Sequence, residues 1–200
     1  MNQKCGKEQL IEMTILLIKK HQGNVNEVTI REICKECNVS VGLINYHFGN
    51  KDQLITVCTQ RIISRVIEQF HPVLMVDESI TPFEAAKKRL KAAANQVFQF
   101  LFDNPEISRL SILNDYQNYG DNTNSWKSID GFSSVIGNGI FPKEKKALIS
   151  FYLINSMQVA FLKHFEVHQF LGYDFSLQKD REIYINNLVD TLLRGQKDEI

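Results

Sequence analysis

Four times along this chain a short polar side chain stands where a helix start has use for it. Thr29 precedes Glu32 by three residues and Asn50 precedes Gln53 by three; Thr81 is followed by Pro82 and Glu84, and Asn104 by Pro105 and Glu106. The three-residue spacing predicts reciprocal caps, in which the first side chain accepts from the backbone N–H three residues on and the second reaches back. A proline directly after the cap lacks its N–H at the position where a helix does not need one. Alternating apolar and polar runs bounded by turn dipeptides are absent, so no strand is expected. With 44% hydrophobic residues, 23% charged and only 4 prolines in 200, the chain has material for a core and is neither a disordered segment nor a disulfide scaffold. The expectation is an all-α fold.

The pattern divides into about nine helices: residues 7–20, 29–37, 40–47, 51–70, 82–102, 105–118, a weakly patterned piece within 126–136, 143–167 and 177–194. Gly195 is placed as the last helix's C-terminal cap. The organisation expected is a head over residues 1–50 and a body over residues 51–200. The apolar run Ile15–Ile18 is too short for a signal peptide, and the stretch Ala147–Leu162 is interrupted by Ser150, Asn155, Ser156 and Gln158, so no membrane partner is expected. Four cysteines without an export signal point to reduced thiols in a cytoplasmic protein. The 23 basic and 23 acidic residues cancel, so any contact with a polyanion has to be local.

The second and third helices are short and separated only by Cys37-Asn38-Val39, the dimensions of a helix-turn-helix. Ile33, Val39, Ile44 and Phe48 are placed to pin the pair together. Gly42, Leu43, Tyr46 and His47 then point away, with Val41 and Asn45 on the flank nearer the core. Such a face suits entry into a groove: Gly42 lets backbone approach closely, and Asn45, Tyr46 and His47 can bond phosphates or base edges. Helix N-termini at Thr29, Ser40 and Asn50 offer N–H groups to phosphates, and Arg31 and Lys51 add local positive charge.

Val39-Ser40, Gly42, Tyr46-His47-Phe48 and Lys51, leading into a long helix, closely resemble the DNA-binding signature of TetR-family transcriptional regulators. The resemblance covers about residues 7–70. Beyond it the chain matches in helix count, in length and in the closing Asn187-Leu188-Val189-Asp190-Thr191-Leu192-Leu193-Arg194-Gly195. The resemblance implies an all-α homodimer with a three-helix reading head and a ligand-binding body. It assigns DNA contacts to Thr29, Arg31, Ser40, Val41, Gly42, Leu43, Asn45, Tyr46, His47 and Lys51. This chain departs from the pattern at Asn45, where most members carry an aromatic residue, and in a longer loop at residues 22–28. The implied function is a repressor held on a palindromic double-stranded operator and released by a small, largely apolar molecule, with neither enzyme activity nor a cofactor. An activator or partner-controlled regulator on the same fold is the alternative; an all-α metal-dependent enzyme using His164, Glu166, His168 or Cys58 is a more distant one.

The remaining motifs have bland and sharp readings. Cys34 and Cys37 have redox or metal spacing, but on the first helix of a reading head they read better as two small, buried side chains. His164 and His168 stand four apart without a third ligand, which favours a pair at a helix end. Aromatic residues crowd the body, and an apolar pocket is expected from Phe98, Phe102, Tyr116, Trp126, Phe151 and Tyr152, with Tyr119 and Phe132 nearby and Asn155 and Gln158 orienting the ligand. The helix from Lys143 is apolar on nearly all sides between Ala147 and Phe165, and so needs cover all round. The last helix carries a broad stripe including Leu177 and Tyr184. A symmetric four-helix interface with a second copy follows, through Phe151, Phe161, Phe165, Ile185, Leu188, Val189 and Leu192.

Overall fold

The computed structural model describes residues 6–69, 81–117 and 123–194. Among them are ten helices and no strand: α1 (Lys7–Lys20), α2 (Ile30–Cys37), α3 (Val41–Phe48), α4 (Lys51–Gln69), α5 (Pro82–Asp103), α6 (Pro105–Gln117), α7 (Asn124–Ile136), α8 (Lys143–Leu162), α9 (His164–Leu171) and α10 (Gln178–Leu192). At three of the four expected starts the cap side chain accepts from the N–H three residues on. Thr29 Oγ1 accepts from the Glu32 N–H at 3.1 Å, Asn50 Oδ1 from Gln53 at 2.9 Å and Thr81 Oγ1 from Glu84 at 3.3 Å. The expected cap at Gly195, and Cys5, Phe70 and Tyr119, lie outside the described residues.

One helix more than expected arises at Lys163. The single helix read over residues 143–167 is broken there, with Lys163 at φ −110°, ψ 30° between α8 and α9. His164 Nδ1 lies 3.1 Å from the Phe161 carbonyl, and the His164 ring meets Phe102 edge-on. A side chain thus caps a carbonyl that the backbone ladder releases.

The chain divides into two compact units. The first comprises residues 1–66 and 104–119, and so holds α1–α3, most of α4, and α6. Its core is built from Leu10, Ile11, Ile15 and Ile18 of α1, Val28, Ile33 of α2, Ile44 of α3, Leu54, Ile55 and Cys58 of α4, and Ile107 of α6. Ion pairs tie α1 to α4: Arg61 pairs with Glu8 and Glu12, and Arg65 reaches Glu12 at 2.6 Å. The loop after α1 turns on Gly23, which has φ +87° and donates to the Ile18 carbonyl at 2.8 Å. That φ favours a residue without Cβ.

The second unit comprises residues 67–103 and 120–200, with α5 packed against α7, α8 and α10. Its buried set includes Leu90, Ala94 and Phe98 of α5, Phe132 and Ile136 of α7, Leu153 and Met157 of α8, and Ile185 and Val189 of α10. Arg89 fastens the end of α7 by donating to the Val135 and Ile136 carbonyls at 3.0 and 3.1 Å. Lys87 and Lys91 both reach Asp190 of α10, at 2.6 and 2.8 Å. Among the described residues no helix is long and apolar enough to cross a membrane.

Candidate nucleic-acid interface

The turn joining α2 to α3 is made by three residues. Asn38 takes the left-handed conformation (φ 51°, ψ 49°), which an Asn tolerates better than most side chains. Val39 N–H then returns to the Cys34 carbonyl at 2.9 Å and closes α2. Ser40 follows in extended conformation as the N-cap of α3, with its hydroxyl making no bond to the helix it caps. Its Oγ and the first N–H groups of α3 are therefore open to an outside acceptor.

Helix α3 is held by Ile44, which is fully buried, and by Leu43, Phe48 and the preceding Val39, which are partly buried against the same core. The face presented outward is Val41, Gly42, Asn45 and Tyr46, and Tyr46 is 82% exposed. This corrects the helical-wheel reading at four positions. Leu43 and His47 turn partly inward, whereas Asn45 and Val41 stand exposed and not toward the core. The reason is that Leu43 and Ile44 together seat the helix, so its buried arc extends to the Leu43–His47 side of Ile44 and Phe48. His47 is half-buried between Tyr46 and Phe48, with ring centroids 5.1 and 6.1 Å away.

Gly42 has ordinary helical backbone, and a Cβ built on it would meet only the Ser40 hydroxyl, at 3.6 Å. Nothing inside the described chain requires a glycine there. Its missing side chain instead clears the outer surface beside Tyr46. At the far end, Gly49 (φ 81°) closes α3 through its N–H to the Asn45 carbonyl at 2.8 Å, and Asn50 opens α4. Lys51 sits half-buried on that first turn, and Thr29 and Arg31 are exposed at the start of α2. A cation not read from the sequence joins them: the Lys7 ammonium lies 5.7 Å from the centre of the Phe48 ring. No local sequence pattern links residues so far apart.

Glu32 does not reach back to the Thr29 N–H as the spacing predicts, because its carboxylate is engaged elsewhere. Its carboxylate meets Lys20 Nζ at 3.0 Å and His21 Nε2 at 3.0 Å, while His21 Nδ1 faces Glu27 at 3.2 Å. Bonding to Lys20, and then to His21, holds the Glu32 carboxyl below the usual carboxylate range. These contacts bind the end of α1 and its loop to α2 and brace the helix that supports α3. The loop at residues 22–28 is thereby fixed despite its departure from the usual pattern.

Cys34 and Cys37 are partly buried and pack against the core of the first unit. Cys58 is fully buried, and burial pushes its thiol up to about 12, which keeps it protonated and non-nucleophilic at neutral pH. Glu166 pairs with Lys163 at 3.1 Å, His164 is committed to the Phe161 carbonyl, and His168 is exposed.

The residues expected to line a pocket are placed differently from one another. Phe98 and Phe102 join Phe161, Phe175 and Tyr184 in a ring-packed cluster with centroids 5.1–5.6 Å apart. Phe151 and Tyr152 are exposed on α8, Trp126 is exposed on α7, and Tyr116 is exposed on α6 of the first unit. The Asn155 amide donates to the Phe151 carbonyl of its own helix at 2.8 Å, and the Gln158 amide to Ser125 Oγ at 2.8 Å. An open groove of about 400 Å³ between α5 and α10 is lined by other residues, chiefly Asn95, Gln99, Asp103, Gln178, Arg181 and Glu182. Of the residues expected at an interface with a second copy, Phe161, Ile185 and Val189 are buried in the chain's own core, because α8 and α10 pack on α5 through them. Phe151 and Phe165 face outward, and Leu188 and Leu192 are half-buried.

A short helix, a three-residue turn and a second short helix seated on a bundle define this unit as a helix-turn-helix head. The family of bacterial regulatory proteins described as tetR matches residues 21–58, which run from the loop before α2 into α4. An uncharacterized HTH-type transcriptional regulator of Haemophilus influenzae is 29% identical over 110 residues, 55% of this chain and 54% of that protein. The HTH-type transcriptional regulator BetI of Vibrio atlanticus is 27% identical over 93 residues, covering 46% of this chain and 44% of its own length. The match thus spans about half the length of these relatives. The fold as a whole is similar to the crystal structure of a TetR transcriptional regulator from Rhodococcus sp. RHA1, at a TM-score of 0.58 and 16% identity over 93% of this chain and 94% of that one. The similarity to the tetR family of bacterial regulatory proteins is thus carried by residues 21–58, and the likeness to the solved regulator is one of fold.

Proposed function

We propose that this protein is a sequence-specific DNA-binding transcriptional regulator that acts as a homodimer on a palindromic operator. It is a repressor, released when a small, largely apolar molecule binds the aromatic-rich second unit. The observation that carries the reading is the outer face of α3. An exposed tyrosine, an exposed amide, an uncovered N-cap hydroxyl and a glycine that the fold itself does not require stand together on one helix. Those groups suit major-groove readout, with Asn45 and Tyr46 toward base edges, and Ser40, His47, Lys51, Thr29 and Arg31 toward phosphates. Val41 and the partly exposed edge of Leu43 supply apolar contact. Two heads related by a two-fold axis require a two-fold site. Release by a ligand requires that it prefer the released population by a few kcal/mol.

Selection from random duplexes with the purified chain is expected to return an inverted repeat. Tyr46→Ala is expected to cost about 1–3 kcal/mol on that duplex and relax the preference at one position of each half-site. Failure to enrich any duplex sequence overturns the reading.

A further inference from the structure

Helix α9 has eight residues and no buried side chain. Helices this short do not persist alone in water, because nucleation outweighs the few bonds gained. Here both ends are fastened and the middle is not. At the start, His164 is held by the Phe161 carbonyl and the edge of Phe102. At the end, Gly172 (φ +77°) closes the helix, and the chain dives at once into Tyr173 and Phe175, whose rings pack on Tyr184 at 5.4 and 5.1 Å. Between these anchors Phe165 is 76% exposed and Phe170 75%, with Leu171 beside them. A segment fixed at both ends and apolar where it meets solvent is pre-organised for a surface it has yet to touch.

We propose that α9 is a clasp that packs against a second copy of this chain, adding to the interface a contact that α8 and α10 alone do not supply. The inference rests on the homodimer reading above. Nine of the fifteen large apolar side chains exposed among the described residues fall between Leu148 and Ile183, which is the stretch running from α8 through α9 into α10. On α8 they follow one helix face, at Leu148, Phe151 and Val159, toward the end where α9 begins. Their exposed side-chain surface is roughly 1,000 Å², enough for the ~800 Å² per partner of a stable interface, and α9 contributes close to half. A lipid surface is the poorer match: interfacial helices carry a basic polar face, whereas the lysine at the start of α9, Lys163, is already paired with Glu166.

The test uses the full chain. Sedimentation equilibrium of the wild type is expected to give a dimer. The doubly substituted Phe170→Ser, Leu171→Ser protein is expected to dissociate with a constant raised roughly 30-fold or more, with an unchanged circular dichroism melt measured below the dissociation constant. Phe170→Leu should retain the dimer. Hydrogen exchange provides the second readout: the α9 amides should be protected above the dimer's dissociation constant and exposed below it. A monomeric wild type overturns the homodimer reading itself. A wild-type dimer whose affinity and α9 exchange ignore the double substitution overturns the clasp alone, as does α9-dependent binding to phosphatidylcholine–phosphatidylglycerol vesicles.

Discussion

Gly42 and Cys58 show how single side chains separate folding from function in this molecule. A glycine inside a helix costs about 0.5–1 kcal/mol relative to alanine, and at Gly42 a Cβ would meet nothing closer than 3.6 Å. Gly42→Ala is therefore expected to raise the unfolding free energy by about 0.5–1 kcal/mol in urea titrations, yet to weaken operator binding, because the new methyl stands on the face offered to the groove. A substitution that raised both would show that the α3 face is not what approaches DNA. Cys58 behaves in the opposite sense, since its burial serves the fold alone. Its thiol rises from an ordinary 9.0 to about 12, so between those values the folded chain holds a proton that the unfolded chain releases. Stability consequently falls as pH rises through that window. Cys58→Ala leaves a small cavity and lowers stability near neutrality, but its melting temperature should decline less steeply above about pH 9 than the wild type's. Parallel alkaline declines in the two proteins would refute the assignment.

At the scale of elements, most helices were legible because their ends are written in local chemistry. Thr29, Asn50 and Thr81 each cap the helix that their spacing announces. The break at Lys163 was not legible, because the apolar pattern runs through it without a Gly or Pro. What ends α8 is His164 turning to the Phe161 carbonyl beside Phe102, a contact with a helix some sixty residues earlier in the chain. The same limit applies to the candidate site. Its residues could be named from the motif, but the exposure of Asn45 depends on how deeply Leu43 seats against the core. Nor does any spacing rule bring Glu32 to both Lys20 and His21. That junction has a pH signature. Because Lys20 and His21 lower the folded carboxyl below 4.5, Glu32 contributes stability above that value and loses it as pH falls through the folded one. Glu32→Gln should accordingly lower the urea midpoint near neutral pH, and the gap from wild type should close as pH falls through the lowered range of the folded carboxyl. A gap that persists in acid would mean that the glutamate acts through packing alone.

At the scale of the whole molecule, the proposed two-fold pairing makes whatever each head does count twice. Net charge is zero over 200 residues, so the salt dependence of DNA binding reports local phosphate contacts and not a general field. Lys51 lies on the first turn of α4, beside the Gly49–Asn50 corner that ends α3. A single phosphate contact contributes about 0.9 to the slope of log affinity against log salt. A lone head losing Lys51 should therefore flatten that slope by about one, whereas a two-fold dimer loses the contact twice and should flatten it by about two. The measurement is a salt titration of wild type and Lys51→Ala on the selected inverted repeat and on its isolated half. On the full repeat the difference should be close to two; on the half-site, where only one head engages, close to one. Equal differences on both duplexes would mean that the heads do not bind as a symmetric pair, even if each one binds DNA.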